Sequence, residues 1–222
     1  AELSRMRGKL GGTLNDLVLA IVAGAIRHFF KYTRLTDPDR IAFRVMAPVS
    51  VRDASERGRT GNRVAAWFVP LPIGKSDPLE RLEEVRRTTG LLKRRHDALG
   101  AETLTQVVEW RGATPISLGA RLLENDPPYH MVVTNVPGPR VPLHLLGARM
   151  IEAHPMVPLL GAQSVGIALF SYGGVLSWGF NADWDLVPDL HDLVLAVQHS
   201  YEQLRRRAAD QERGAAAGAP AA

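Results

Sequence analysis

Asn135 is a polar residue between an apolar run and a proline-rich turn. The run is Met131-Val132-Val133, and Pro137, Gly138 and Pro139 form the turn. The two prolines fix their own φ angles, and Gly138 can take conformations closed to other residues, so the turn is rigid before any ligand arrives. A rigid turn can hold a polar side chain towards a substrate. An asparagine next to a turn also commonly bonds its own backbone, so a structural role stays open.

A second polar candidate, Asn15, lies in the first turn of a predicted helix. The helix start is marked by Thr13 and Asp16, which have the spacing of a capping box with Asp in place of the usual Glu. Unpaired backbone donors and the positive end of the helix dipole favour developing negative charge in a first turn. An amide there can orient an acceptor hydroxyl or stabilise a tetrahedral oxyanion, although capping alone also accounts for the pattern.

Other motifs in the sequence give weaker evidence of a functional site. Asn62 and Arg63 lie between a charged loop and a predicted strand, where they could join two backbone segments or face a ligand. The stretch from Gly161 to Gly166 lacks the spacing of a serine nucleophile elbow. His191 and His199 share a predicted helix without a third ligand at metal spacing, so no metal site is predicted.

Composition bounds the class of protein. The chain has 222 residues, of which 45% are hydrophobic and 23% charged, as in an ordinary globular domain. Its longest apolar run, Leu17 to Ile26, is about half of the ~20 residues that a bilayer crossing requires. The chain has no cysteine, which fits a reducing compartment, and we expect a cytoplasmic location. The net charge is only +4, and most of the basic residues are interleaved with acidic ones. Nucleic acid is therefore not an expected partner.

Periodicity and turn signals predict a mixed order of helices and strands. The helices are predicted at 13–32, 77–99, 102–111, 114–123 and from Pro188 through Leu204, and the strands at 41–46, 64–71, 131–135, 145–153, 164–172 and 175–182. The last two strands flank Gly173-Gly174, a dipeptide suited to a tight hairpin turn. The predicted class is therefore α/β (α+β mixed), with a mixed sheet covered by helices. Residues 1–207 form the predicted domain, and the Ala- and Gly-rich residues 208–222 a disordered tail.

Four motifs in order resemble a known family. Thr13-Leu14-Asn15-Asp16, Gly61-Asn62-Arg63, Thr134 to Pro139, and Ala182-Asp183 with Val187-Pro188-Asp189 occur between about Leu10 and Leu204. In this order they resemble the C-terminal half of the bacterial wax ester synthase/diacylglycerol acyltransferase (WS/DGAT) family. The resemblance implies one half of a two-domain fold like that of the chloramphenicol acetyltransferase superfamily. In that superfamily an acyl-CoA thioester and an acceptor alcohol react in a tunnel between the domains.

The same resemblance implies a function and a partner. The chain is expected to help transfer a fatty acyl group from acyl-CoA to diacylglycerol or a long-chain alcohol, without a cofactor. Asn15 would act in the oxyanion or acceptor site, and Asn62, Arg63 and Asn135 would bind substrate. Thr13, Asp16, Pro137, Gly138, Pro139 and Asp183 would be structural.

The family's general base belongs to a His-His-x-x-x-Asp-Gly motif in the first domain, and this chain has no two adjacent histidines. Activity is therefore expected only together with an N-terminal catalytic half. The chain begins at Ala1, on a basic stretch before a helix, which suggests that this half is a separate or cleaved polypeptide. A domain that normally packs on such a partner should expose an apolar patch.

Two other hypotheses stay open. The chain could be a noncatalytic binding or scaffold domain that has lost its catalytic half. It could also belong to an acyltransferase or condensation-type enzyme whose acyl donor is bound to a carrier protein. Peripheral contact with the inner membrane or with lipid droplets is compatible with each of these readings.

Overall fold

The computed structural model describes residues 2–50, 64–99, 129–159 and 163–217. The chain divides into two compact units. The first comprises Ala1–Phe43, Leu71–Thr89 and Asp189–Ala222, and the second comprises Arg44–Pro70 and Gly90–Pro188. The two helices predicted at 102–111 and 114–123 lie outside the described residues.

The first unit is helical. Its elements are α1 (Glu2–Leu10), α2 (Leu14–His28) with a π-helical extension (Phe29–Thr33), a 3-10 turn (Pro38–Arg40), the first part of α3 (Pro78–Leu99), and α4 (Leu190–Ala217). Helix α2 packs against α1 and α4 and is buried continuously from Asp16 to Ile26, because it is apolar on almost every side. No single helix among the described residues is long and apolar enough to cross a membrane. Only α1 and the extended α2 together, bent by 97°, reach that length and composition.

Two sequence predictions need correction in this unit. Helix α1 was not predicted, because it is short and its three turn-spaced apolar residues, Leu3, Met6 and Leu10, are surrounded by charges; Met6 and Leu10 are nevertheless buried. The predicted disordered tail begins at 208, whereas α4 continues to Ala217. Ala208 is buried, which explains why the helix does not end there.

Three helices of this unit meet closely at Gly24 of α2. A Cβ added to Gly24 would lie 2.2 Å from Oγ of Ser200 and 2.7 Å from Nη2 of Arg81. Arg81 is buried, and its Nη1 donates to the backbone carbonyls of Lys75 and Ser76. Burial, helped by the neighbouring Arg27, lowers the pKa of Arg81 to about 10, so the guanidinium stays charged at neutral pH. The close approach therefore requires glycine at position 24.

Replacing this glycine tests the packing. Gly24→Ala should lower the free energy of unfolding by about 1–3 kcal/mol, because the added methyl group overpacks a buried crossing. Gly8→Ala in α1 is the matched control, since a Cβ there has no neighbour within 4 Å. That change should raise the free energy of unfolding by about 0.5–1 kcal/mol through helix propensity. Urea unfolding of both variants measures the difference, and equal stabilities would contradict the crossing at Gly24.

The second unit is built on a five-stranded sheet with strand order β2-β1-β3-β6-β7. The strands of this sheet are β1 (Phe43–Ser50), β2 (Val64–Leu71), β3 (Met131–Pro137), β6 (Val165–Tyr172) and β7 (Val175–Ala182). Two short strands, β4 (His144–Leu145) and β5 (Ala148–Arg149), form a separate two-stranded sheet. Strand β3 is parallel to β1 and to β6, whereas β6 and β7 are antiparallel. The sheet is mixed, which confirms the predicted class. Gly173 and Gly174 take φ values of 56° and 84° and form the predicted hairpin turn.

The strand predicted at 145–153 is wrong. This stretch contains the two-stranded hairpin β4–β5, in which His144 pairs with Arg149 and Leu145 with Ala148. Leu146 and Gly147 form the turn, with φ values of 49° and 85°. Leu146 carries no turn signal, because a leucine rarely adopts a positive φ.

Candidate functional site

The first turn of α2 holds Asn15 at a capped helix start. Thr13 is the N-cap: its Oγ1 accepts a hydrogen bond from the backbone N–H of Asp16 (3.2 Å). The Asp16 carboxylate accepts in return from the backbone N–H of Thr13 (2.7 Å) and from its hydroxyl (2.8 Å). The capping box is therefore complete without Asn15, whose side chain is exposed at the positive end of the α2 dipole.

Helix α3 supports this start from the other side. The hydroxyl of Thr89 donates to the second carboxylate oxygen of Asp16 at 2.7 Å. Arg86 lies against Gly12, where an added Cβ would be 3.1 Å from its Cδ, and its Nη1 donates to the carbonyl of Leu10 (3.2 Å). Gly12 has a φ of 82°, which favours glycine on conformational grounds as well. Asp16 is buried among these contacts.

The arrangement separates two roles within two consecutive residues. Asp16 points into the helix start, and its carboxylate accepts hydrogen bonds from Thr13 and Thr89. Asn15 carries an amide on the outside of the same turn, where a developing negative charge would be favoured. The sequence does not predict the contacts of Thr89 and Arg86 with the helix start, because they join residues that are distant in the chain and no local motif marks them.

Asn135 lies inside β3 and not in the turn after it. The parallel ladder with β6 continues past it, pairing Asn135 with Leu169 and Pro137 with Ser171. The predicted end of the strand at Asn135 is therefore wrong by two residues, because Val136 and Pro137 still lie in the ladder. The Asn135 side chain is half-buried in the central strand of the sheet.

The turn after β3 uses glycine for space. A Cβ on Gly138 would lie 2.2 Å from the carbonyl oxygen of Ser171 and 2.5 Å from the ring of Phe170. The φ of Gly138 is not positive, so other residues could adopt its backbone conformation. The close approach to β6, and not an unusual φ, is what requires glycine between Pro137 and Pro139.

Asp183 organises the chain after β7. Its backbone N–H donates to the carbonyl of Ser164 (2.9 Å), and its Oδ1 accepts from the backbone N–H groups of Asp185 (2.9 Å) and Leu186 (3.3 Å). Its carbonyl accepts from the N–H of Val187 (2.9 Å). These bonds form a tight turn directly after the strand.

The predicted site residues thus fall into separate groups. Thr13, Asn15 and Asp16 lie together in the first unit, and Asn135, Pro137, Gly138, Pro139 and Asp183 belong to the second. Asn62 and Arg63 lie outside the described residues. Within the part of the chain that the structure describes, no group of three or more His, Cys, Asp or Glu side chains could hold a metal ion. His28 and His199 have ring centroids 4.7 Å apart, and burial together with His199 lowers the pKa of His28.

Comparison with known proteins identifies the family of this chain. Residues 60–205 match the family model described as the WS/DGAT C-terminal domain. The chain belongs to this family. The predicted resemblance to the C-terminal half of the WS/DGAT family is thereby confirmed, and the match includes three of the four motifs, those at Asn62, Asn135 and Asp183.

Two relatives illustrate the extent of similarity for this WS/DGAT C-terminal domain. A Mycobacterium tuberculosis protein named as a diacylglycerol O-acyltransferase is 31% identical over 220 residues, which are 96% of this chain and 43% of the relative. The O-acyltransferase WSD of Acinetobacter baylyi is 29% identical over 219 residues, 95% of this chain and 46% of the relative. The chain spans about half the length of these relatives.

Solved structures agree on the fold. The wax ester synthase/diacylglycerol acyltransferase of Marinobacter aquaeolei superposes with a TM-score of 0.70 at 20% identity, over 94% of this chain and 46% of that one. The first condensation domain of the calcium-dependent antibiotic synthetase gives a TM-score of 0.53 at 17% identity, over 92% of this chain and 42% of that one. At these identities the likeness concerns the fold alone. It agrees with the predicted half of a two-domain acyltransferase-like architecture.

Proposed function

We propose that this domain is the C-terminal half of an O-acyltransferase that moves a fatty acyl group from acyl-CoA to diacylglycerol or a long-chain alcohol. The observation that carries the proposal is the match of residues 60–205 to the WS/DGAT C-terminal domain. The names of the relatives, diacylglycerol O-acyltransferase and O-acyltransferase WSD, support the reaction class. The general base is assigned to the N-terminal half, because this chain has no adjacent histidine pair.

The proposed reaction is a direct transfer. A histidine of the N-terminal half takes the proton of the acceptor hydroxyl, and the resulting alkoxide oxygen attacks the thioester carbonyl carbon. The carbon–sulfur bond of the tetrahedral intermediate then breaks. CoA leaves as a thiolate, takes up the proton from the histidine, and the ester is released. No covalent enzyme intermediate is required, and this chain has no cysteine that could form one.

Within this reaction the domain supplies a donor. Negative charge develops on the thioester oxygen in the transition state, and a fixed amide that meets this oxygen lowers the barrier. Asn15 is proposed for this role or for orienting the acceptor hydroxyl. The helix start that carries Asn15 is held by the capping box and by the bond from Thr89 to Asp16, so the backbone at this position is fixed before substrate binds. Asn135, Asn62 and Arg63 are proposed to bind substrate.

The acyl donor provides the test of the reaction class. The full-length protein is assayed with one fatty acyl group presented either as its CoA thioester or on an acyl carrier protein, with diacylglycerol or a long-chain alcohol as acceptor. We expect ester formation from acyl-CoA to be faster by about tenfold or more in kcat/KM. Preference for the carrier-bound donor would reassign the domain to the condensation-type alternative. If neither donor yields an ester, the hypothesis of a noncatalytic binding or scaffold domain is favoured.

A further inference from the structure

Two histidines meet where helices α2 and α4 cross in the first unit. The rings of His28 and His199 have centroids 4.7 Å apart, and the His28 ring also lies 4.6 Å from that of Tyr32. His28 follows Gly24 by one turn of α2, and His199 directly precedes Ser200, so the pair continues the close contact at Gly24. Two imidazoles at this distance can pack as neutral rings but repel each other as cations. The contact therefore depends on their protonation.

Gln203 shows which form of His199 the structure contains. The side-chain oxygen Oε1 of Gln203 accepts from Nη2 of Arg81 at 3.4 Å, and its nitrogen Nε2 lies 3.0 Å from Nε2 of His199. A guanidinium can only donate, so the amide oxygen has to face Arg81 and the amide N–H has to face the imidazole. Nε2 of His199 is therefore the acceptor and carries no proton. This hydrogen-bond network assigns His199 as a neutral ring with its proton on Nδ1.

Protonation of His199 is incompatible with these hydrogen bonds. An imidazolium has an N–H group at both nitrogens, so two donors would face each other between His199 and Gln203. Turning the amide over would offer its oxygen to His199 but its nitrogen to Arg81, where two donors would again meet. Arg81 is buried and is held by its bonds to the carbonyls of Lys75 and Ser76. One of the two hydrogen bonds of Gln203 is therefore lost when His199 is protonated.

Basic side chains surround the two rings. Each element at the crossing contributes one, namely Arg27 on α2, Lys31 on its π-helical extension, Arg81 on α3, and Arg206 two turns after His199 on α4. In the described part of the chain neither His28 nor His199 forms an ion pair. A proton added to either ring thus meets positive charge and gains no carboxylate partner.

The nearby carboxylates already have cationic partners. Asp39 pairs with Arg27 at 2.6 Å. Glu202, one turn after His199 on α4, pairs with Arg205 at 2.7 Å. Further acidic groups on the elements packed here are Glu2, which pairs with Arg205, Asp77, which pairs with Arg207, Asp189, which pairs with Arg34, and Asp192, two turns before His199. These pairs leave little negative charge to offset a histidinium at the crossing.

We propose that the crossing of α2 and α4 is a pH-sensitive contact, which is closed while His28 and His199 are neutral and loosens when acid protonates them. Helix α2 begins with the turn that carries Asn15, so the device acts on the helix that bears the candidate site. The inference does not depend on acyl transfer, because it concerns the packing of the first unit and not a reaction.

The direction of the pH effect follows from linkage. Burial, together with the nearby His199, lowers the pKa of His28. The unfolded chain therefore binds a proton at this histidine more readily than the folded chain does. The free energy of unfolding should fall as the pH drops below about 6.5, the ordinary pKa of histidine, and the full stability is present above that pH.

Imidazole NMR tests the neutral form without any substitution. Long-range proton–nitrogen spectra of the purified protein distinguish a proton on Nδ1 from one on Nε2. At about pH 7.5 we expect His199 to carry its proton on Nδ1, as its bond from Gln203 requires. A proton on Nε2 of His199 at this pH would overturn the proposal.

Thermal unfolding at about pH 7.5 and about pH 5.5 tests the consequence for stability. In His199→Gln the side chain can still accept from Gln203 but does not titrate, so the fall in Tm on acidification should be smaller than in the wild type by about 3 °C or more. His28→Phe, which keeps a ring beside Tyr32 but cannot be protonated, should show the same reduction. His191→Gln is the matched control, because His191 is exposed on the same helix and takes no part in this network.

Gln203→Glu should have the same effect for the opposite reason. A carboxylate can accept from Arg81 and from a protonated His199 at once, so acid no longer breaks the network, and the fall in Tm should again be smaller than in the wild type. Equal falls in the wild type, His199→Gln and Gln203→Glu would overturn the proposal. A reduction in His191→Gln as large as that in His199→Gln would also overturn it, because the effect would then belong to histidines in general.

Discussion

The isolated 222-residue chain is expected to transfer no acyl group, and the N-terminal half is expected to restore turnover. Acyl transfer to an alcohol requires a base at the hydroxyl, and removal of an essential base or nucleophile costs enzymes up to about a millionfold in kcat. None of the seven histidines of this chain has an adjacent histidine. Release of radiolabelled ester from fatty acyl-CoA, measured for the chain alone and for both halves co-expressed, checks the prediction.

The control for this experiment lies in the other half. Replacing the adjacent histidine pair that the proposed function assigns to that half with alanine should abolish turnover while leaving the two halves associated, because the pair is proposed to supply chemistry and not the interface. Robust turnover by the verified chain alone would refute the assignment of the base. Turnover that survives loss of the histidine pair would refute it equally.

The parts of the fold that were predicted correctly have local signals. Gly173-Gly174 supplies the positive φ values of its turn, so the hairpin β6–β7 follows from adjacent residues. Asp77 begins α3 as predicted, because its Oδ1 accepts from the backbone N–H groups of Leu79 (2.7 Å) and Glu80 (3.2 Å). In both cases the residue that determines the structure lies within a few positions of the feature.

The parts that were missed depend on distant residues. Helix α1 is short and charged, and it is stabilised by packing on α2 and α4, including an ion pair between Glu2 and Arg205. The hairpin β4–β5 has a leucine in its turn, where asparagine or glycine is usual, and the residues at its base, Leu143 and Met150, are joined by Tyr172 from another strand. Local propensity reflects neither of these contacts, so the sequence predicts one strand from about Leu145 to Ala153 instead of a hairpin.

The candidate site likewise combines a feature that local sequence predicts with one that depends on distant residues. The spacing of Thr13 and Asp16 predicts the capping box that the structure contains. The hydrogen bond from Thr89 to Asp16 joins residues that are 73 positions apart, and no local sequence motif indicates it. Sequence alone therefore places Asn15 on a capped helix start, but only the fold shows why that start is rigid.

The contrast between Asn15 and Asp16 tests that interpretation. In the assembled enzyme, Asn15→Ala should lower kcat by roughly ten- to a thousandfold, as expected for the loss of one donor to the transition state. The melting temperature should change little, because the Asn15 side chain is exposed and takes no part in the capping box. Steady-state kinetics and thermal unfolding of the same preparation measure the two quantities.

Asp16→Ala should behave in the opposite way. The variant loses the acceptor for the Thr13 backbone, the Thr13 hydroxyl and the Thr89 hydroxyl at a buried position, which should cost on the order of 1–3 kcal/mol of stability. The kcat of the molecules that remain folded should fall less than for Asn15→Ala, because the carboxylate points into the helix start. If Asn15→Ala instead lost stability and kept a normal kcat, Asn15 would be a capping residue, and the start of α2 would have no part in the reaction.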